Sequence, residues 1–141
     1  MSREIDVKVA ECLGWTEINP HQELIAGGYG IGVKKGEVNT NLKGSLLRTP
    51  IPYYSSSGED MLWLIADARE DGYLFEMSES PVDSACKVSK WNETEKTFEL
   101  LSVFHIEEID CLPAVVALAY LEAKGVDITL YFLKEEEYDD Q

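Results

Sequence analysis

Residues 27–37, GGYGIGVKKGE, set five glycines beside two lysines. That composition lets backbone amides approach an anion while two ammonium groups balance its charge. A phosphate-binding P-loop needs G-x-x-x-x-G-K-[ST], the lysine reaching the terminal phosphates and the hydroxyl holding magnesium. Gly27 and Gly32 have the spacing, but Val33 stands at the lysine position and no Ser or Thr follows. A dinucleotide fingerprint needs G-x-G-x-x-G running from a strand straight into a helix. Gly28, Gly30 and Gly32 give G-x-G-x-G, and the VKKGEVNTN after them has no helical pattern. Two readings stay open: a flexible hairpin or loop, and an anion nest beside Lys34 and Lys35. On the second, the ligand-binding set is Gly28, Tyr29, Gly30, Gly32, Lys34 and Lys35. Tyr29, Tyr53 and Tyr54 are then the side chains expected to stack on a small planar ligand.

No other residues assemble a reaction. His21 and His105 lie 84 residues apart, and His105 ends an alternating strand-like run, so no metal site is expected. Ser55, Ser56 and Ser57 precede a helical pattern, where a hydroxyl caps the helix, and no G-x-S-x-G elbow surrounds them. Cys12, Cys86 and Cys111 form neither a disulfide framework nor a C-x-x-C clasp, and Cys12 and Cys111 are expected to be packed thiols. The expectation is a protein with no catalytic residue and no cofactor.

Charge narrows the partners. The 141-residue chain carries a net −15, and residues 51–141 supply all of it, with 21 acidic against six basic side chains. Nucleic acid is not an expected direct partner, because phosphate binding needs clustered Lys and Arg. The acids are scattered and not set in rows, so the chain does not resemble a phosphate-mimicking decoy either. The charged start MSREIDVKVAEC and the shortness of the apolar run LPAVVALAYL predict a protein without membrane span or signal peptide, in a reducing cytoplasm.

The elements that must hold these groups follow from periodicity. Ile5, Val9, Cys12 and Leu13 recur at i, i+4, i+7 and i+8, which predicts a helix capped by Ser2 and stopped at Gly14. Residues 16–52 are turn-rich and read as a long irregular connection with one or two short strands. Ser56 or Ser57 opens a second helix, Glu59 standing in capping-box spacing to Ser56, with Met61, Leu64, Ile65 and Ala68 as its buried stripe and Gly72 as its end. YLFEMS, SACKVSKW and TFELLSVFHI read as an antiparallel meander, the last two joined by the polar turn NETEK. DCLPAVVALAYLEAKG predicts a third, deeply buried helix with Asp110 as N-cap, Pro113 in its first turn and Gly125 after its last. VDITLYFL reads as one more strand, and residues 134–141 as a solvated acidic tail. Trp15, Tyr53 and Tyr54 flank the first two helices, while Trp63 and Trp91 suit either core or surface.

Three words in this order, IDVKVAECLGW, PYYSSSGEDMLWLI and CLPAVVALAYLEA, resemble the phage ABA sandwich domain family, and the lambdoid NinX-like proteins look similar. The resemblance covers most of residues 1–125, and the chain departs from it in the long glycine-rich connection and after residue 125. It implies an α-β-α sandwich carried by phages and prophages, with no catalytic residues assigned. The expected fold is therefore α+β: one domain over residues 1–133, with a small, mainly antiparallel sheet and about three helices. The expected function is that of a non-enzymatic phage or prophage accessory protein in the host cytoplasm, which binds a host protein or another copy of itself. The alternative is a small-ligand protein that sequesters a nucleotide at the glycine-rich loop.

Overall fold

The computed structural model describes residues 3–25, 27–35, 48–107 and 111–131. Helix α1 (Arg3–Cys12) buries Ile5, Val9 and Leu13, with Cys12 half-buried at the margin of the same face. It ends in a Schellman motif: Gly14 takes φ +95, its amide bonds the Glu11 carbonyl and the Trp15 amide reaches back to Ala10. The motif turns the chain so that the Trp15 side chain falls back into the core.

The described part of residues 16–52 is more regular than the sequence implies. It builds a three-stranded antiparallel sheet from β1 (Thr16–Glu23), β2 (Tyr29–Val33) and β3 (Thr49–Pro50), in that order. The expected irregular connection is corrected on this point, and its turn chemistry shows why it looked irregular. β1 is almost wholly exposed, so selection on one buried face leaves no period-2 signal. It also carries Pro20 and two register shifts against β2.

Helix α2 (Gly58–Glu70) begins at Ser57, whose side chain accepts from the Asp60 amide. Of the two serines considered, Ser57 is therefore the cap; no capping box closes it, because the Ser57 amide donates to the Tyr53 carbonyl and the Asp60 carboxylate accepts from the Tyr53 amide. Met61, Leu64 and Ala68 are buried and Ile65 is partly so, as the stripe predicts. The meander forms as expected: β4 (Tyr73–Glu79), β5 (Ser84–Asn92) and β6 (Thr97–Ile106) pair in sequence order. The described residues thus hold two three-stranded antiparallel sheets where a single one was expected.

Helix α3 (Leu112–Ala123) is the centre of the fold. Residues 114–121 are buried without interruption, because β5 and β6 lie on one side of the helix and α1 and α2 on another. Pro113 sits in the first turn, and Gly125, at φ +84, closes a second Schellman motif. The N-cap position falls on Cys111, which makes no side-chain cap bond. Asp110, the expected cap, lies outside the described residues, as do Ser2 and the acidic tail. Tyr120 packs edge-on to Tyr73 at 5.6 Å, and the Ser102 hydroxyl donates to the Ala119 carbonyl at 2.7 Å, which satisfies a buried polar group inside the helix–sheet contact.

The expected last strand does not form over its described part. Residues 129–131 take a helical turn, because the Asp127 carboxylate accepts from both the amide and the hydroxyl of Thr129 and so caps it. Ile128 enters the core from this turn.

Candidate functional site

The glycine-rich stretch is a hairpin and its continuing strand. Gly27 and Gly28 turn between β1 and β2 at φ +95 and +84, with the Leu24 amide bonded to the Gly28 carbonyl. Gly28 and Gly32 each answer to a neighbour. The Tyr53 hydroxyl covers Gly28 so closely that a Cβ there would stand 2.0 Å from it, and Gly32 brings β2 against Trp15 and Ile18. Tyr29 is exposed, and its carbonyl accepts from Arg3 Nε at 2.7 Å. Gly36 and Glu37, the end of the stretch, lie outside the described residues.

The eight residues of the sequence-derived set therefore divide. Tyr29 opens with Arg3, Val7, Pro20 and His21 onto a shallow hollow of about 270 Å³. Lys34, Tyr53 and Tyr54 line a different groove of about 460 Å³, together with Trp15, Asp60, Trp63 and Asp67. Lys35 lines a smaller cavity of about 130 Å³, which adjoins the groove across Trp15, Lys34 and Asp67. Gly28, Gly30 and Gly32 shape the hairpin and strand beside these openings and line none of them.

The groove is aromatic and acidic. The Lys34 ammonium lies 5.1 Å from the centre of the Trp63 ring, and Lys35 pairs with Asp71 at 3.6 Å. Asp60 is oriented by the Tyr53 amide, which donates to one carboxylate oxygen at 2.8 Å. Tyr54 is buried, and burial, followed by the nearby Asp67 and Asp60 carboxylates, raises its pKa well above the ordinary tyrosine value, so the hydroxyl keeps its proton. That hydroxyl and the neighbouring Trp15 indole N–H face one another inside the protein. Sequence reading missed Asp60, Trp63 and Asp67, although their i, i+3, i+7 spacing sets them on one face of α2, away from its apolar stripe.

An ion pair between half-buried Arg3 and buried Asp6 ties this region together. Arg3 Nη1 donates to Asp6 at 2.9 Å and to the Pro52 carbonyl at 2.8 Å, its Nη2 donates to the Ile51 carbonyl, and the guanidinium lies over the Tyr53 ring at 3.8 Å. The other Asp6 oxygen accepts from the amide and the hydroxyl of Ser55, at 2.8 and 2.7 Å. In the sequence Arg3 and Asp6 look like an i, i+3 surface pair. The Ser55 hydroxyl is thus committed to a buried carboxylate, and no histidine joins it among the described bonds.

A second surface lies across the molecule. The register of β4, β5 and β6 puts Tyr73, Phe75, Cys86, Val88 and Ser102 toward α3. The opposite face carries Trp91 (39% exposed), Phe98 (47%), Leu100 (58%) and Val103 (51%). Trp91 and Phe98 meet edge-on at 5.1 Å, so this apolar row is ordered by its own contacts. Glu76 and Lys87 stand opposite one another on the same face, which leaves it locally neutral in a strongly acidic chain. β6 is an edge strand, and among the described residues nothing pairs with its outer side. Its exposed His105 stands on this face.

The thiols are quiet. Cys86 is buried, and burial pushes its pKa up to about 12, while burial also raises the half-buried Cys12. Among the described residues no three His, Cys, Asp or Glu side chains gather as a metal site, and no helix is long and apolar enough to cross a membrane. No family model, curated protein or solved structure matches this chain.

Proposed function

We propose that this chain acts by binding and not by catalysis, and that its first partner is a second copy of itself, joined along β6. The row of Trp91, Phe98, Leu100 and Val103, exposed on and beside an edge strand, supports this reading most strongly. A long apolar edge strand is a template for pairing with another chain unless it is protected. β6 is also self-complementary. An antiparallel copy about an axis between Leu101 and Ser102 sets Phe98 against His105, Leu100 against Val103 and Lys96 against Glu107. Leu101 is the extra residue of a bulge, since Val88 pairs with Ser102 and Ser89 with Leu100, and this one-residue shift keeps outer face on outer face in that register. The neutral Glu76–Lys87 face lets two acidic chains approach there with little local repulsion.

On the resemblance to the phage ABA sandwich family, the assembly would serve a phage or prophage as an accessory protein in the host cytoplasm, a host protein being the other occupant of the same face. The nucleotide-sequestering alternative draws on Lys34, Tyr53 and Tyr54 sharing one groove. Asp60 and Asp67 line that groove too and set negative charge where a phosphate would lie, which favours the first reading.

Sedimentation velocity across a wide concentration range tests it. The wild-type chain should self-associate, and Leu100→Lys with Val103→Lys should weaken association about tenfold or more while leaving folding stability within about 0.5 kcal/mol. A wild-type chain that stays monomeric throughout, or a double variant that associates unchanged, contradicts the proposal.

A further inference from the structure

The groove beside α2 makes a separate case. Asp60, Trp63 and Asp67 present two carboxylates and an aromatic face from one side of a rigid helix, and the cation over that face is the protein's own Lys34. We infer that this groove receives an arginine side chain from a basic partner segment, with Lys34 as the built-in occupant that the arginine displaces. An ammonium on a half-exposed indole is a weak contact, because a compact, strongly hydrated charge gives up little of its water there. A guanidinium is less hydrated, lies flat on an indole, and offers forked N–H donors to carboxylates at the rim.

Charge selects the same class of ligand. Asp60 and Asp67 here, with Glu70 and Asp71 in the adjoining cavity, outnumber Lys34 and Lys35, so phosphates are repelled while the net −15 of the chain steers a basic segment inward. The inner wall is closed: the Trp15 indole N–H and the Tyr54 hydroxyl face one another, both more than nine-tenths buried, so the ligand is read by Trp63 and the two carboxylates at the rim.

The test titrates the whole protein with acetyl-Gly-Arg-Gly-amide, the lysine analogue and adenosine monophosphate, following tryptophan fluorescence and amide NMR shifts. The arginine peptide should bind saturably and more tightly than the lysine peptide, and the monophosphate should not bind. Lys34→Ala should tighten arginine binding about two- to fivefold by removing the competitor, and Trp63→Ala, at an exposed position that leaves the fold intact, should abolish it. The inference is overturned by the absence of arginine binding even to Lys34→Ala. Weaker binding to that variant overturns it equally, as does preference for the monophosphate or survival of binding in Trp63→Ala.

Discussion

The two sheets of this molecule have the same number of strands and are held by different physics. The β4–β6 sheet is attached to the body by area: Tyr73, Phe75, Cys86 and Val88 face an almost continuously buried α3. The β1–β3 sheet has one strand nearly all in solvent; beside the buried Val33 and the neighbouring Ile51 it is tied at a polar knot, where Arg3 reaches the carbonyls of Tyr29, Ile51 and Pro52 while Asp6 holds both Arg3 and Ser55. Burial spread over many side chains degrades gradually when one is trimmed. A knot around one buried carboxylate fails abruptly, because removing it leaves the buried donors that met it unpartnered.

The sharpest way to break this contrast is Asp6→Ala, which strands both donors of Ser55 and leaves Arg3 with its carbonyl partners but no counter-charge. It should cost about 3–5 kcal/mol in chemical denaturation. The attached sheet should also loosen first, so that amides of β1 and β2 exchange sooner than those of β5. Leu118→Ala cuts into the opposite region at a fully buried position and should cost about 2–4 kcal/mol, with exchange rising across the whole protein together. If Asp6→Ala proves milder than Leu118→Ala, the polar-knot picture fails.

The smallest effect concerns the capped turn after α3. The Thr129 hydroxyl, followed by its amide, holds the Asp127 carboxyl below its ordinary pKa. A group depressed in the folded state contributes stability above its unfolded pKa and loses it as pH falls through the folded one. The Thr129 amide resonance should therefore stay constant from neutral pH down to the ordinary aspartate range and shift below it. Asp127→Asn should erase that step without changing global stability measurably.

The same contrast governs how much was legible in the sequence. Burial writes periodicity, so α1, α2, α3 and the meander could be read from Ile5–Val9, Met61–Leu64–Ala68, the apolar run after Pro113 and the runs flanking NETEK. The first sheet could not, because β1 has one apolar side chain, Ile18, and interrupts its own alternation with Pro20. Residues 126–131 misled in the other direction: β-branched composition suggested a strand, and a local bond from Asp127 to Thr129 decided for a helical turn. The glycines drew attention to phosphate chemistry, yet those described have steric and backbone reasons of their own. Only Lys34, Tyr53 and Tyr54 of the expected set reach the groove. Trp63 and its flanking carboxylates were overlooked because a polar helix face ordinarily means solvent.

Pairing of β6 with a second copy is read most directly by hydrogen exchange, followed residue by residue at low and high protein concentration. The β6 amides not bonded to β5 should gain protection as concentration rises, alternating along residues 98–105, while β1 amides do not change. Exchange along β6 that is independent of concentration, in a sample shown by sedimentation to be associated, would contradict it.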